Sequence, residues 1–154
     1  MKVTLITATY NSQKYLEDCI TSVIRQGYKD IEHIIVDGKS SDNTVDIIKK
    51  YESHIAWWVS ETDRGMYDAI NKGMKMATGD IIGILNSDDM LDSDDVIESI
   101  VKAFNEKNVD SIYGDLEYVD PDDTNKIYRI WKGKPYNRNL FRFGWMPAHP
   151  TFYF

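Results

Sequence analysis

The stretch Ile81-Ile82-Gly83-Ile84-Leu85 runs straight into Asn86-Ser87-Asp88-Asp89. A short aliphatic run that follows a Gly79-Asp80 turn reads as a buried strand, and the polar residues after it as its exposed carboxyl end. In open α/β sheets ligands bind at that end. Two neighbouring carboxylates there repel each other's charge and call for a partner. A hard divalent cation carrying a diphosphate supplies one. The plainer reading is that Asp88 and Asp89 only open a loop before the next helix.

The rest of the chain sets this strand in a series. Val3–Ala8 is a β-rich run. Gln13–Gln26 has Leu16, Cys19, Ile20, Val23 and Ile24 at helical spacing, and Gly27 ends it. Ile31–Val36 is a second strand, stopped by Asp37-Gly38. Ser41 or Asp42 caps a helix that runs to about Tyr51. Ile55–Val59 is a third strand, and Met66–Ala77 a helix with Ala69, Ile70, Gly73, Met74 and Ala77 on one side. After the Ile81–Leu85 strand, Asp92, Asp94 and Asp95 are expected in the first turn of a helix to Asn105, where they complement its dipole. This βαβαβαβα order predicts a three-layer α/β/α domain with a mostly parallel central sheet. From Asp110 the pattern changes. Ser111–Tyr113, Leu116–Val119 and Lys126–Trp131 read as short strands, with a turn at Asp120-Pro121-Asp122-Asp123, which makes a small β extension near the C-terminus.

Bulk properties narrow the function. With 154 residues, 42% hydrophobic and 28% charged, the chain can bury one core. Its net charge of −7 and pI near 4.9 argue against a nucleic-acid partner, and they require a metal or local cations if anionic phosphates are handled. No apolar run approaches the roughly 20 residues of a membrane span. Met1–Ile6 reads as a strand rather than a leader peptide. The expected location is therefore cytoplasmic, peripheral to the inner face of the membrane. The single cysteine, Cys19, lies on the apolar face of a helix and is expected to be a buried thiol.

Three polar loops follow three parallel strands: Thr7-Ala8-Thr9-Tyr10-Asn11, Asp37-Gly38-Lys39-Ser40-Ser41-Asp42 and Asn86-Ser87-Asp88-Asp89. A parallel sheet brings all three to one rim, which is a stronger sign of a site than any loop alone. Asp37 is placed to accept a hydrogen bond from a base N–H, and Tyr10 to stack on that base. Equally, Asp37-Gly38 is a common turn, and Tyr10 covers core.

These segments, together with Val36–Thr44, Glu61-Thr62-Asp63-Arg64-Gly65-Met66-Tyr67-Asp68-Ala69-Ile70-Asn71-Lys72-Gly73 and Ala77-Thr78-Gly79-Asp80, resemble the family 2 glycosyltransferases in order and spacing over residues 1 to about 115. The resemblance implies a GT-A fold, a nucleotide diphosphate sugar donor and Mn²⁺ or Mg²⁺. It assigns Thr7, Ala8, Thr9, Tyr10 and Asn11 to the wall of the nucleobase pocket. Asp37, with Gly38, reads a uracil-type imide. Arg64 and Asn71 lie beside the nucleotide and its phosphates. Asn86 and Ser87 lead into Asp88 and Asp89, the acidic metal motif. Asn86 stands where the family often has an aspartate, so the first metal shell rests on Asp88 or Asp89.

Tyr113-Gly114-Asp115 and Pro147-Ala148-His149-Pro150-Thr151 are similar to segments of a bacterial surface-polysaccharide branch. That similarity places both on the acceptor side, His149 as a metal ligand or an acceptor contact, Asp115 as a candidate general base and Asp89 as a second candidate catalytic carboxylate. Trp131, Tyr136, Phe141, Phe143 and Trp145 line a sugar groove or simply pack.

The reaction so implied is transfer of a sugar, from a UDP-sugar with inversion, to a glycan or lipid-linked saccharide in cell-surface polysaccharide synthesis. Residues 1–109 form the donor half and 110–154 the start of an acceptor region. The apolar ending at Phe152-Tyr153-Phe154 suggests a piece of a longer protein, with the last residues packed as a strand and exposed aromatics favouring self-association. A sugar-nucleotide nucleotidyltransferase is the rival reading, but it wants a glycine-rich loop after the first strand, and Thr7–Asn11 has no glycine. No Gly-x-Gly-x-x-Gly occurs to support a dehydrogenase. A non-catalytic nucleotide-sugar-binding fragment is the rival from another class.

Overall fold

A computed structural model describes residues 1–154. Four parallel strands form the central sheet: β1 (Val3–Thr9), β2 (Ile31–Asp37), β3 (Trp57–Ser60) and β4 (Ile81–Ile84), in spatial order β3-β2-β1-β4. Each crossover carries a helix: α1 (Leu16–Ile24), α2 (Thr44–Lys50) and α3 (Met66–Met76), with α4 (Val96–Lys107) after β4. The chain order reverses between β1 and β4, so the switch point lies at their carboxyl ends.

Alternation along β1 and β2 sorts the core into layers. Val3 and Leu5 pack with Cys19, Val23, Ile81, Ile97, Val101 and Phe104 on the α1/α4 side. Ile35 packs with Leu16, Ile20 and Ile48 toward α2. Ile6, Ile34 and Val36 face Ala69 of α3 on the other side. Helix α3 approaches the sheet closely at Gly73, where an added Cβ would lie 2.5 Å from Ile6 Cγ2. The Cys19 thiol is fully buried as expected, and burial pushes its pKa up to about 12.

Several boundaries differ from those read in the sequence. Asp92, Asp94 and Asp95 do not occupy the first turn of α4. Asp95 is the residue before the helix, and Asp92 and Asp94 belong to the incoming loop. The reason is long-range. Gln26 Oε1 accepts from Ile97 N–H (3.1 Å), and Gly27 N–H donates to Asp94 C=O (2.7 Å), so α1 fixes where α4 begins. Helix α1 starts at Leu16 rather than Gln13, because Gln13 is drawn into contacts with the next loop.

Beyond α4, β5 (Leu116–Val119) and β6 (Ile127–Trp131) make an antiparallel hairpin outside the main sheet. Ser111–Tyr113 reduces to a single bridge at Ile112. Its partner is Tyr153, which also bridges Gly83 antiparallel. Phe154 exchanges both backbone hydrogen bonds with Ile82. The final residues therefore line the free edge of β4 through an isolated bridge rather than as a strand, and Tyr153 is buried in the core.

Candidate active site

Parallel pairing puts the carboxyl ends of all four strands on one rim, and side-chain hydrogen bonds stitch the loops there into one surface. The first link joins β1 to β2. Asp37 is completely buried at the end of β2. Its Oδ2 accepts from Ser40 N–H (3.0 Å) and Ser60 Oγ–H (2.5 Å), and its Oδ1 accepts from Ser40 Oγ–H. Ser40 Oγ in turn accepts from Asn11 N–H (2.8 Å), while Asn11 Oδ1 accepts from Ser41 N–H (2.9 Å). Asn11 and Lys39 hold φ of 50° and 64°, a left-handed backbone that this web over-determines.

A second link starts at Asp42. The N-cap of α2 is Asn43 rather than the expected Ser41 or Asp42; Asp42, one residue earlier, makes a turn bond instead, its Oδ1 accepting from Thr44 N–H (3.0 Å), while its Oδ2 accepts from Gln13 N–H (3.2 Å). Thr44 Oγ1 accepts from Ser12 N–H (2.8 Å). The third link crosses the switch point: Ser12 and Ser87 hydroxyls lie 2.9 Å apart. Three loops joined by bonds that span 29 to 75 residues of sequence thus share one network.

Asp37 does not present a free carboxylate to this rim. It sits beneath the rim as the anchor of the β2 loop. What faces outward is Tyr10, 65% exposed, with its ring at Gly38. An added Cβ at Gly38 would lie 2.8 Å from Asp63 Oδ2 and 3.4 Å from the Tyr10 ring, so Tyr10, Gly38 and Asp63 adjoin. Thr7 is buried with its hydroxyl 3.0 Å from His33 Nε2, under the rim rather than in it. Ala8 is half-buried on the opposite face. Thr9 is buried, and its Oγ1 is a buried polar side-chain atom without a partner, at the top of β1.

Arg64 is exposed at the start of α3. Its side chain leans on Asp68 at 3.8 Å, a contact that leaves it free to be recruited. Asn71 is exposed five residues into α3, about 7–8 Å down the helix from the rim.

At the end of β4, Ser87 is buried, Asn86 and Asp89 are half-buried and Asp88 is exposed. Asn86 Nδ2 donates to Asp89 Oδ2 (2.7 Å). Burial first, and then the Asp88 charge, push the Asp89 pKa up, while the Asn86 hydrogen bond and His149 pull it down. His149, at the start of a single 3₁₀ turn ending at Thr151, is thus brought to Asp89 from the far end of the chain. Asp115 Oδ1 accepts from Gly133 N–H (2.8 Å), and the neighbouring Gly114 C=O accepts from Thr151 Oγ1–H (3.1 Å), in the turn that carries His149.

Two positioning residues escaped sequence reasoning. Ser22 Oγ accepts from Leu91 N–H (3.1 Å). Gln26, buried, donates to Ser93 C=O (2.6 Å) and accepts from Ile97. Together they hold the segment that follows Asp88-Asp89 against α1. Only their polarity within an otherwise apolar helix face hinted at such work.

No group of three His, Cys, Asp or Glu side chains stands together to hold an ion. Asp88 and Asp89 nevertheless form a carboxylate pair with no cationic side chain in ion-pair contact, one member partly withdrawn from water. That donor set suits a hard cation that takes the rest of its shell from phosphate oxygens and water.

An all-parallel sheet whose strand order reverses between β1 and β4, with an acidic rim at that switch point, is an open α/β fold of the kind that binds ligands there. Solved structures agree: Staphylococcus aureus TarS in complex with UDP-GlcNAc matches with TM-score 0.66 and 26% identity, over 72% of this chain and 33% of that one. The mannosyltransferase PcManGT of Pyrobaculum calidifontis, in complex with GDP-Man and Mn²⁺, matches with TM-score 0.67 and 26% identity over 80% of this chain and 37% of that one. The family model Glycosyl transferase family 2 matches residues 4–153, and the chain belongs to that family. An uncharacterized glycosyltransferase of Mycobacterium tuberculosis is 38% identical over 114 residues, 73% of this chain and 44% of that protein. The glycosyltransferase GlyG of Streptococcus pneumoniae is 30% identical over 131 residues, 83% of this chain and 43% of its own length. The chain thus spans less than half the length of the curated relatives it matches.

Proposed function

We propose that this rim binds a nucleotide diphosphate sugar, a UDP-sugar, and that the protein transfers the sugar with inversion to a hydroxyl of a glycan or lipid-linked saccharide in cell-surface polysaccharide synthesis. The observation that carries the reading is the hydrogen-bonded union of the β1, β2 and β4 loops at the switch point, with the unpaired Asp88-Asp89 beside it. A rigid rim holds a donor in one orientation before any chemistry begins. Tyr10 offers an exposed ring for a base beside Gly38 and Asp63, and Arg64 a mobile cation for phosphate.

Asp88 and Asp89 would hold Mn²⁺ or Mg²⁺, and His149, whose charge reaches Asp89 although the three do not stand together as a ligand group, is the further candidate as metal ligand or acceptor contact. The ion supplies charge neutralisation to the departing diphosphate. Asp115 is the candidate base, exposed and with one carboxylate oxygen left free by its backbone hydrogen bond; Asp89 is a second candidate catalytic carboxylate, and a residue beyond Phe154 competes for the role of base. The working location is cytoplasmic, peripheral to the inner face of the membrane.

The test is isothermal titration of UDP and GDP into the protein, with Mn²⁺ and with chelator. UDP binding that requires the cation, and that Asp88→Asn with Asp89→Asn abolishes, is the expected result. Equal affinity in chelator would refute the metal assignment. Absence of binding to either nucleotide would refute the donor site.

A further inference from the structure

All 25 carboxylates of the chain lie at or before Asp123, yet six of its 18 lysines and arginines lie after it: Lys126, Arg129, Lys132, Lys134, Arg138 and Arg142. Residues 126–154 therefore carry +6, against −13 for the rest. Two of the six are engaged. Lys126 pairs with Asp120, and Arg129 stacks between Tyr118 and Trp131. Lys132, Lys134, Arg138 and Arg142 are exposed and form no salt bridge.

Large apolar side chains are interleaved with those four. Tyr136 is 67% exposed, Phe141 45%, Phe143 86% and Met146 65%. Arg138, Phe141, Arg142 and Phe143 share one short 3₁₀ helix, Arg138–Phe143. The helix has a packed underside, where Phe141 meets Tyr136 and Trp145, and Trp145 meets Tyr113. Phe143 and Met146 have no such role. Unpaired cations alternating with outward phenylalanine and methionine suit a surface that is anionic outside and apolar just beneath.

We propose that residues 132–146 form a membrane-interface patch that seats on an anionic lipid bilayer. Lys132, Lys134, Arg138 and Arg142 meet lipid phosphates, and Phe143 and Met146 enter the boundary between headgroups and chains. A soluble polyanion satisfies the cations and leaves Phe143 and Met146 in water, so the bilayer is the better match. The −13 body turns the molecule: the surface potential repels it while attracting the patch. This gives physical content to the peripheral location proposed above, and it requires neither donor nor metal.

The experiment is sedimentation with vesicles of phosphatidylcholine alone or mixed with phosphatidylglycerol, without nucleotide, so that failure of the donor site does not affect it. Binding to the mixed vesicles alone, weakening with added salt, is expected. Arg138→Gln with Arg142→Gln should reduce partitioning by about tenfold or more, and Phe143→Ser with Met146→Ser should reduce it several-fold at unchanged melting temperature. Lys49→Gln with Lys50→Gln, on α2, should leave it unchanged. Equal binding to both vesicle types, or an equal loss in the α2 variant, would overturn the patch. So would tighter binding to a single-stranded polynucleotide than to vesicles. A lipid-free dimer that Phe143→Ser dissolves would also overturn it, since a second copy would then be the natural cover.

Discussion

At the scale of single residues, the buried polar groups do the most to define this domain. Asp37 was legible as a strand-end carboxylate, but which way it points was not. Its direction is set by Ser40 and Ser60, whose hydroxyls reach it from the loop and from β3. Asp37→Asn replaces one accepting oxygen with a donor that faces other donors. We expect a loss of about 1.5–3 kcal/mol in urea denaturation, together with weaker nucleotide binding through the displaced Asn11 loop. Normal binding in a folded Asp37→Asn protein would sever that link.

His33 makes a second prediction. It is fully buried, and burial lowers its pKa from 6.5 to about 4. Between those values the unfolded chain takes up a proton that the native one refuses. Stability is therefore complete above about pH 6.5 and declines as the pH falls toward 4, by about 3 kcal/mol. Glu32 acts in a lower window. Burial pushes its pKa up, but hydrogen bonds from Lys2, Thr4 and Thr78 outweigh it and hold the pKa at about 2, so its contribution is lost as pH falls from 4.5 toward 2. Denaturation midpoints of His33→Gln should lose the upper slope and keep the lower one. An unchanged upper slope would mean another group titrates there.

At the scale of elements, strands β1 to β4 and helix α3 were readable because burial writes a period into the sequence. The misreadings share one cause: a partner distant in sequence. Asp92, Asp94 and Asp95 carry the local signature of a first helical turn, but Gln26 decides that α4 starts at Val96. Ile112 has the composition of a strand yet pairs at one residue only, because its neighbour Tyr153 arrives from the far end of the chain. The Ser12–Ser87 contact spans 75 residues, and no local pattern announces it.

Gln26→Leu tests the α1 clamp. It leaves Ser93 C=O and Ile97 N–H without partners in partly or fully buried surroundings, at about 1–3 kcal/mol each. Hydrogen exchange should rise at Leu91–Ile97 and stay low in β2. Uniform exchange changes would show that Gln26 merely supports the whole core. Gly83→Ala tests the C-terminal bridge to β4. Its Cβ would fall 2.2 Å from Tyr153 Cε1, so the ring must move or the C-terminal segment detach. A drop of about 1–3 kcal/mol with new protease sensitivity near Tyr153 is expected, and an unchanged melt would deny the packing.

At the scale of the whole molecule, charge is segregated more sharply than the net −7 suggests. The cations after Asp123 belong to the hairpin and to the chain beyond it, while the rim proposed to bind the donor carries Asp42, Asp63, Asp88 and Asp89 against Lys39 and Arg64. A diphosphate approaching that rim meets repulsion that cannot be relieved by cations further along the chain, since the Debye length is about 10 Å at 0.1 M salt. Monovalent salt should therefore have the opposite of its usual effect on anion binding. In chelator, the residual affinity for UDP should rise as salt is added, because repulsion is what salt screens. With Mn²⁺ present the carboxylates are neutralised, attraction to the ion dominates, and added salt should weaken binding. The crossing of these two trends separates a metal-built site from one built on Lys39 and Arg64 alone, for which affinity would fall with salt in both conditions. Titration of UDP across a salt series, with and without Mn²⁺, reads the sign directly.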